Sequence, residues 1–452
     1  MTNVLHTELA LVLRSRLALV SLVLLAAIAA LAVMAGLRTV ESQRDAIERS
    51  VAAQRAEQAL VARQYAGEEG DAGQVGYYTF HPTWDPPAPL AFAALGQRDV
   101  QPYLLRVRLL GLQAQLYESD TANPEMALAG TFDFAFVLVY LLPLVAIALV
   151  HDLVSGEREA GRLGLVLATA SAPVRLWRRR LLLRYGLVLV SVLLPFAVGC
   201  MVAGVQLVQA TAVAVVAMLY TAFWFGLFAF LAARVRSSAN GAMAMFAVWL
   251  GLTLLLPTAA NTLINQAVPA GRGVDLMLAQ RQLVHAGWDE PKDVTFERFF
   301  NTHPEWRGTP PVTVRFHWKW YYAMHQAGDD AVVPQVAEYE ASLRARQRWA
   351  ERAGWLMPGI AVQVTMQRLA NTDLEAQLRY REQIVAFHAA LRRYFYPYLF
   401  NEVPFRTKDV DAMPGFTPAP ASGLADRQSL VVLLVLAMLA ALCANRLLRK
   451  VE

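Results

Sequence analysis

The chain has 452 residues, of which 56% are hydrophobic and only 17% charged, and its mean hydropathy is +0.35. That balance excludes an ordinary soluble domain and a disordered chain, and it places the sequence among membrane proteins. The formal net charge of +5 does not point to nucleic acid, because the basic residues gather at the ends of apolar runs and no base- or phosphate-reading motif accompanies them.

Residues 1–16 are weakly amphipathic, with Leu5, Leu9, Leu11 and Leu13 set among Glu8, Arg14 and Arg16, and are expected to form an elbow on the inner membrane surface. The apolar run Leu17 to Leu37, bracketed by Arg16 and Arg38, predicts the first span. A cleaved signal peptide is the competing reading, and the run exceeds the usual apolar core of about 7 to 15 residues. Residues 38–130 then form a first extracytoplasmic domain. Its start, Val40 to Arg63, is rich in good helix formers. The prolines of Tyr77 to Pro87 demand extended or turned backbone.

Residues 131–150 predict the second span, announced by Gly130 and Thr131. Pro143 falls in its middle and frees a backbone carbonyl that needs a donor from a neighbour. Asp133, near its outer end, is a possible intramembrane polar site, since ionisable groups there are costly and need partners. Simple exposure at the interface is the equal alternative.

The polar connector that follows, residues 151–184, carries Arg158, Arg162, Arg175, Arg178, Arg179, Arg180 and Arg184 close to the span ends. Such an excess orients a loop toward the cytoplasm. Ser155 is a plausible helix N-cap, Glu157 and Glu159 then fall in the first turn where the helix dipole favours anions, and Leu163, Leu165 and Leu167 supply apolar anchors. A short helix with a charged start and an apolar end suits a partner's groove. An interfacial helix lying on lipid headgroups has the same pattern.

The run Ser155-Gly156-Glu157-Arg158-Glu159-x-Gly161-x-Leu163, continued by Leu165, Leu167 and Pro173, resembles the coupling loop of the ABC-2 superfamily of ABC transporter permeases, roughly S-G-E-R-E-x-G-T-L-x-x-L-L-x-T-P. This sequence departs from the pattern at Arg162, where Thr is usual, and at Ala170-Ser171-Ala172-Pro173, where the Thr-Pro step is displaced. The resemblance implies a short cytoplasmic helix that docks in a cleft of a separate ATPase subunit. It also implies a second permease subunit, a homodimer partner or a similar paralogue, in a bacterial inner membrane.

Residues 185–208 and 210–233 predict a hairpin of spans three and four, and residues 239–260 predict the fifth. Residues 261–427 are polar again and long enough for a core of their own, a second extracytoplasmic domain. Periodicity predicts helices over Val336 to Arg352, Ile360 to Leu369 and Leu374 to Phe395, with Trp318 to Tyr322 left as loop or short strand. Residues 429–445 predict the sixth span and residues 446–452 a cytoplasmic tail. The expected fold is an all-α polytopic membrane protein with six transmembrane helices and two large, mainly helical extracytoplasmic domains, both termini inside. Tyr77-Tyr78, Gly130-x-x-Asp133, Leu356-Met357-Pro358 and Leu369 to Asp373 extend the resemblance, to a branch of ABC-2 permeases with large periplasmic domains.

The chain has no G-x-x-x-x-G-K-[ST], HExxH, CxxC or G-x-S-x-G, so P-loop, metalloprotease, zinc-ribbon and hydrolase chemistries lack their minimum parts. No cofactor is expected in this chain, and ATP belongs to the partner. His81-Pro82-x-Trp84 and His303-Pro304-x-Trp306 echo each other, as two proline turns packed under Trp or as a weak metal-ligand set. The aromatic run Tyr394 to Phe400 fits domain core, a ligand surface or a membrane-interface belt. Cys200 and Cys443 fall in different spans at unequal heights and are expected to stay unbridged.

The reading that follows is a permease subunit, not itself an enzyme, with a cytoplasmic ABC ATPase, a second permease, membrane lipids and a periplasmic protein as candidate partners. A mechanotransmitting or signalling protein that moves no substrate is the rival from another class, and flux separates the two.

Overall fold

The computed structural model describes residues 2–117, 132–169, 173–269, 271, 273–420 and 427–449. Gly130, Thr131 and the Ala170-Ser171-Ala172 step of the connector lie outside them. Six helices are long and apolar enough to cross a membrane: Arg16–Tyr65, Phe134–Glu159, Val174–Ala203, Leu207–Ala232, Ser238–Ala267 and Gln428–Leu448. The protein is an all-α polytopic membrane protein. Large apolar side chains stand exposed on the outer faces of the spans, among them Val20, Leu24, Val190, Leu194, Met243, Leu255 and Leu442. Such surfaces are stable against lipid and not against water.

Helix Thr2–Arg14 is the elbow, broken from the first span at Ser15, whose side chain caps the Ala18 amide. The first span then runs unbroken for 50 residues, its apolar start passing into the Glu- and Arg-rich stretch without a proline or glycine pair to stop it. Its buried stripe, Leu22, Leu25, Ala29, Ala32, Val33, Gly36 and Val40, recurs at intervals of three and four, as one face of a helix requires. Gly36 matters in particular. The turn Pro89–Ala93 lies on it so closely that a Cβ there would overlap the Phe92 carbonyl, and the Phe92 ring fills a second notch at Gly199 in the third span.

The helix of the third span begins at Pro173, a residue suited to a first helical turn because its missing N–H is an orphan there. Arg175 to Arg184 therefore stand on that helix and not in a loop, and the connector is shorter than the 151–184 expected from composition. The second and fifth spans each widen into a π turn, Val137–Leu141 and Gly251–Leu255, just before Pro143 and Pro257. A widened turn relieves the clash between a proline ring and the carbonyl four residues earlier.

The two long polar segments fold onto one shared core. Val75, Val107, Leu112 and Tyr117 come from the first, and Tyr322, Ile384, Leu391, Phe395 and Phe400 from the second. Hydrogen bonds tie them as well: the Tyr380 hydroxyl donates to the Thr83 carbonyl at 2.9 Å, and the Leu112 amide donates to Asp329 at 2.7 Å. Strand β1 (His81–Trp84) pairs antiparallel with β2 (Leu104–Val107), His81 opposite Val107. The aromatic run after Leu391 packs inward, with Phe395, Tyr396 and Phe400 buried. We call this shared body the lobe.

Trp318 to Tyr322, expected as loop or short strand, opens the helix Trp318–Ala353 instead, and the His317 side chain caps the amide of Lys319. Proline density earlier in the segment masked that start. Helix Pro358–Leu369 leaves the lobe and enters the bundle of spans, where Ala361, Val362, Met366 and Leu369 join the spans' own core. Gly359 lets its first turn settle beside Val139 of the second span and the Tyr220 hydroxyl of the fourth.

Candidate functional site

The connector after the second span folds into two short helices, Ser155–Glu159 and Leu163–Thr169. Gly161 separates them with φ at +68°, the left-handed conformation that ends a helix without a Cβ penalty. Its place in the S-G-E-R-E-x-G run is thus explained by backbone geometry.

The acidic residues of the first helix face their own chain. Glu157 accepts from Arg180 of the third span at 2.9 Å and from Arg162 at 3.0 Å. Arg180 also reaches Glu8 of the elbow helix at 3.1 Å, and its guanidinium stands 5.4 Å from the ring of the fully buried Trp177. One arginine thereby joins the elbow, the connector and the third span.

Glu159 holds the fifth span. Its carboxylate accepts from the Ser238 amide and from the Ser238 hydroxyl, both at 2.8 Å, at the first turn of that helix. An anion there satisfies orphan amides and meets the positive end of the helix dipole. Ser155 supports the same contact, its hydroxyl 2.9 Å from that of Ser238. Ser155 is not the N-cap, however; Val154 holds that position, and the fully buried Ser155 side chain donates back to the His151 carbonyl at 3.3 Å. Burial against the fifth span outcompeted capping. Gly156 fits over Asp152, and Arg158 donates to the Val235 carbonyl at 3.3 Å.

The second helix presents the apolar side. Leu163 and Leu167 are half-buried, whereas Leu165 is 66% exposed. The connector is thus bound to the third span through Glu157 and to the fifth through Glu159, with Leu165 exposed on its second helix.

Asp133 lies elsewhere. Its two oxygens accept from the Leu95 and Phe136 amides, each at 2.9 Å, so it caps the second span and fastens the turn Pro89–Ala93 to it. Its geometry is that of a buried joint. His81 and His303 are not brought together: His81 is fully buried edge-on to Phe387, and His303 stacks on Phe299. Both cysteines are free. Sequence reasoning missed Ser238, Glu8 and the separate role of Arg180. A lone acid in the elbow and a serine pair at the start of the fifth span were the available signals.

Residues 2–178 match the family of ABC-2 family transporter proteins, and the match includes the elbow, the first two spans and the whole connector. Over those residues the chain is similar to ABC-2 type permeases, and the match supports a permease. Residues 274–419 of the permease match a second family, a domain of unknown function called DUF3526, which covers most of the lobe's later segment. No curated protein and no solved structure matches the permease. The match supports a permease subunit of an ABC transporter, a family that implies pairing with an ABC ATPase.

Proposed function

We propose that the permease moves a solute across a bacterial inner membrane, driven by a separate cytoplasmic ATPase that docks on the connector. In this reading both termini and the arginine-rich ends of the spans face the cytoplasm, and the lobe stands in the periplasm. The observation that carries it is the double anchorage of helix Ser155–Glu159, through Glu157 to Arg180 and through Glu159 to Ser238, next to the exposed Leu165. A docking element must be fixed to what it moves and open to what moves it. ATP binding closes the ATPase pair, and the connector turns that closure into a displacement of the third and fifth spans, provided its contacts differ between the two states. A second permease subunit completes the transporter, and the apolar outer faces of the spans offer it a surface in the bilayer.

The test is affinity purification of the permease from its native membrane, followed by reconstitution. An ABC ATPase should co-purify, and its hydrolysis should rise when the permease is present in proteoliposomes. Hydrolysis coupled to no solute movement would instead favour the mechanotransmitting alternative.

A further inference from the structure

A cavity of about 650 Å³ opens within the lobe, away from the connector. Its size falls in the range of small-ligand pockets. One wall comes from helix Lys292–Thr302, the turn after it and helix Trp318–Ala353, and it carries Glu305 and Asp330. Helix Leu374–Phe400 supplies another part of the lining, with Arg392 and Arg393. Acid and base thus come from different elements.

Not all of that charge is available. Asp329 accepts from the Leu112 amide at 2.7 Å, the Gln113 amide at 3.2 Å and Arg392 Nη2 at 2.6 Å, so its charge is consumed inside the fold. Among the described residues Asp330 accepts from the neutral donors Thr302 Oγ1 and Gln326 Nε2, both at 2.7 Å, with the His303 ring 3.9 Å away. Glu305 and Arg393 make no ion pair among the described residues. The lining therefore offers both carboxylate, from Asp330 and Glu305, and guanidinium, from Arg393.

Two buried polar atoms lining this space have no hydrogen-bond partner among the described residues: Gln113 Oε1, on a residue 8% exposed, and Arg392 Nε, on a residue 9% exposed. A buried donor or acceptor without a partner is destabilising, and a bound ligand is one way to supply the missing bond. One is an acceptor and the other a donor. Trp306 and Tyr396 add ring surface to the wall.

We propose that this cavity binds a zwitterionic ligand of the short-peptide class. Its ammonium lies toward Asp330 and Glu305 and its carboxylate toward Arg393. A peptide N–H donates to Gln113 Oε1, a peptide carbonyl accepts from Arg392 Nε, and an apolar side chain rests on the aromatic wall. A purely anionic or purely cationic ligand leaves one wall unmatched. The site does not depend on whether the bound molecule crosses the membrane, so it stands apart from the transport reading.

The experiment uses the full-length permease in lipid nanodiscs and follows saturation-transfer NMR and calorimetric titration with the tripeptide alanyl-phenylalanyl-alanine. Binding is expected, weakened about ten-fold when the same peptide is N-acetylated and C-amidated. Arg393→Glu, at an exposed position, and Gln113→Leu, which removes the unpaired Oε1, should each weaken the free peptide by about ten-fold, with the Arg393→Glu protein melting as wild type. Equal affinity for the blocked peptide would overturn the proposal. So would wild-type affinity in both variants, the absence of any peptide binding, or binding of maltotriose in its place.

Discussion

The hydroxyl of Tyr220 donates to the carbonyl of Val139 at 2.8 Å, joining the fourth span to the second inside the bundle. Val139 is the residue four before Pro143, so its carbonyl is the one that the proline deprives of a helical donor. Tyr220 is fully buried, and the bond is out of reach of water.

Tyr220→Phe should therefore destabilise the permease by about 1 to 3 kcal/mol, since it leaves a buried carbonyl unsatisfied while preserving the ring. Pro143→Ala restores a donor to Val139 and should reduce that cost. Thermal unfolding in nanodiscs of the two single variants and the double variant measures the coupling. Additive losses would show that the two residues act independently.

The need for a donor to that carbonyl was legible in the sequence, because proline chemistry is local. The identity of the donor was not, since Tyr220 lies 81 residues away and nothing local marks its hydroxyl. The spans were legible for the same reason as the proline: a continuous apolar run has few other uses. Helix Pro358–Leu369 escaped notice as part of the bundle because its 12 residues include Gln363, Gln367 and Arg368, too short and too polar for a span. The shared core of the lobe rests on contacts such as Thr83 with Tyr380, 297 residues apart, which no pattern within either segment encodes. At the connector, the motif located the residues, but it could not say that Glu157 and Glu159 turn inward, because their partners Arg180 and Ser238 lie on other helices.

Asp133 should behave as a structural joint. Asp133→Ala removes an N-cap, worth about 0.5 to 2 kcal/mol, and strands the buried Leu95 amide as well. Differential scanning of the reconstituted variant should show a lower melting temperature, with residual hydrolysis coupling scaling with folded protein. A variant that melts as wild type yet loses coupling would instead mark Asp133 as a working group in the membrane.

Acid should weaken the lobe. Burial holds the His81 imidazole at about 4 and, with help from Arg392 and Arg108, His325 at about 3, both below the ordinary 6.5, and it pushes His388 well below that value. The unfolded chain takes up protons at these sites below pH about 6.5, and the folded lobe does not. Their contribution is complete above that pH and is lost as the pH falls toward the folded values. Asp85, Asp329 and Asp373, raised by burial, act in the opposite sense, but with His317, also lowered by burial, four imidazoles outnumber three carboxyls. Hydrogen exchange of lobe amides between pH 7 and 5, corrected for intrinsic rates, should reveal falling protection. His81→Phe, which keeps the edge contact with Phe387 and removes two ring nitrogens unpaired among the described residues, should flatten that dependence.

Within the connector, the charge pair admits a reversal experiment. Glu157→Arg should impair coupling of hydrolysis to the spans while leaving ATPase capture intact, because Glu157 is bound to Arg180 of the third span. Combining it with Arg180→Glu should recover part of the coupling, limited by the bond that Arg180 also makes to Glu8. Loss of capture in the single variant would place Glu157 at the partner surface.

Leu165→Asp puts a charge on the exposed apolar side of the second helix and leaves Glu157 and Glu159 in the sequence, so the co-purification of the ATPase with this variant bears most directly on the connector as a docking lever. The variant should insert and accumulate as wild type, and should lose both ATPase capture and stimulated hydrolysis. Full capture with full stimulation would contradict the account and leave the second helix as a surface element of the membrane interface.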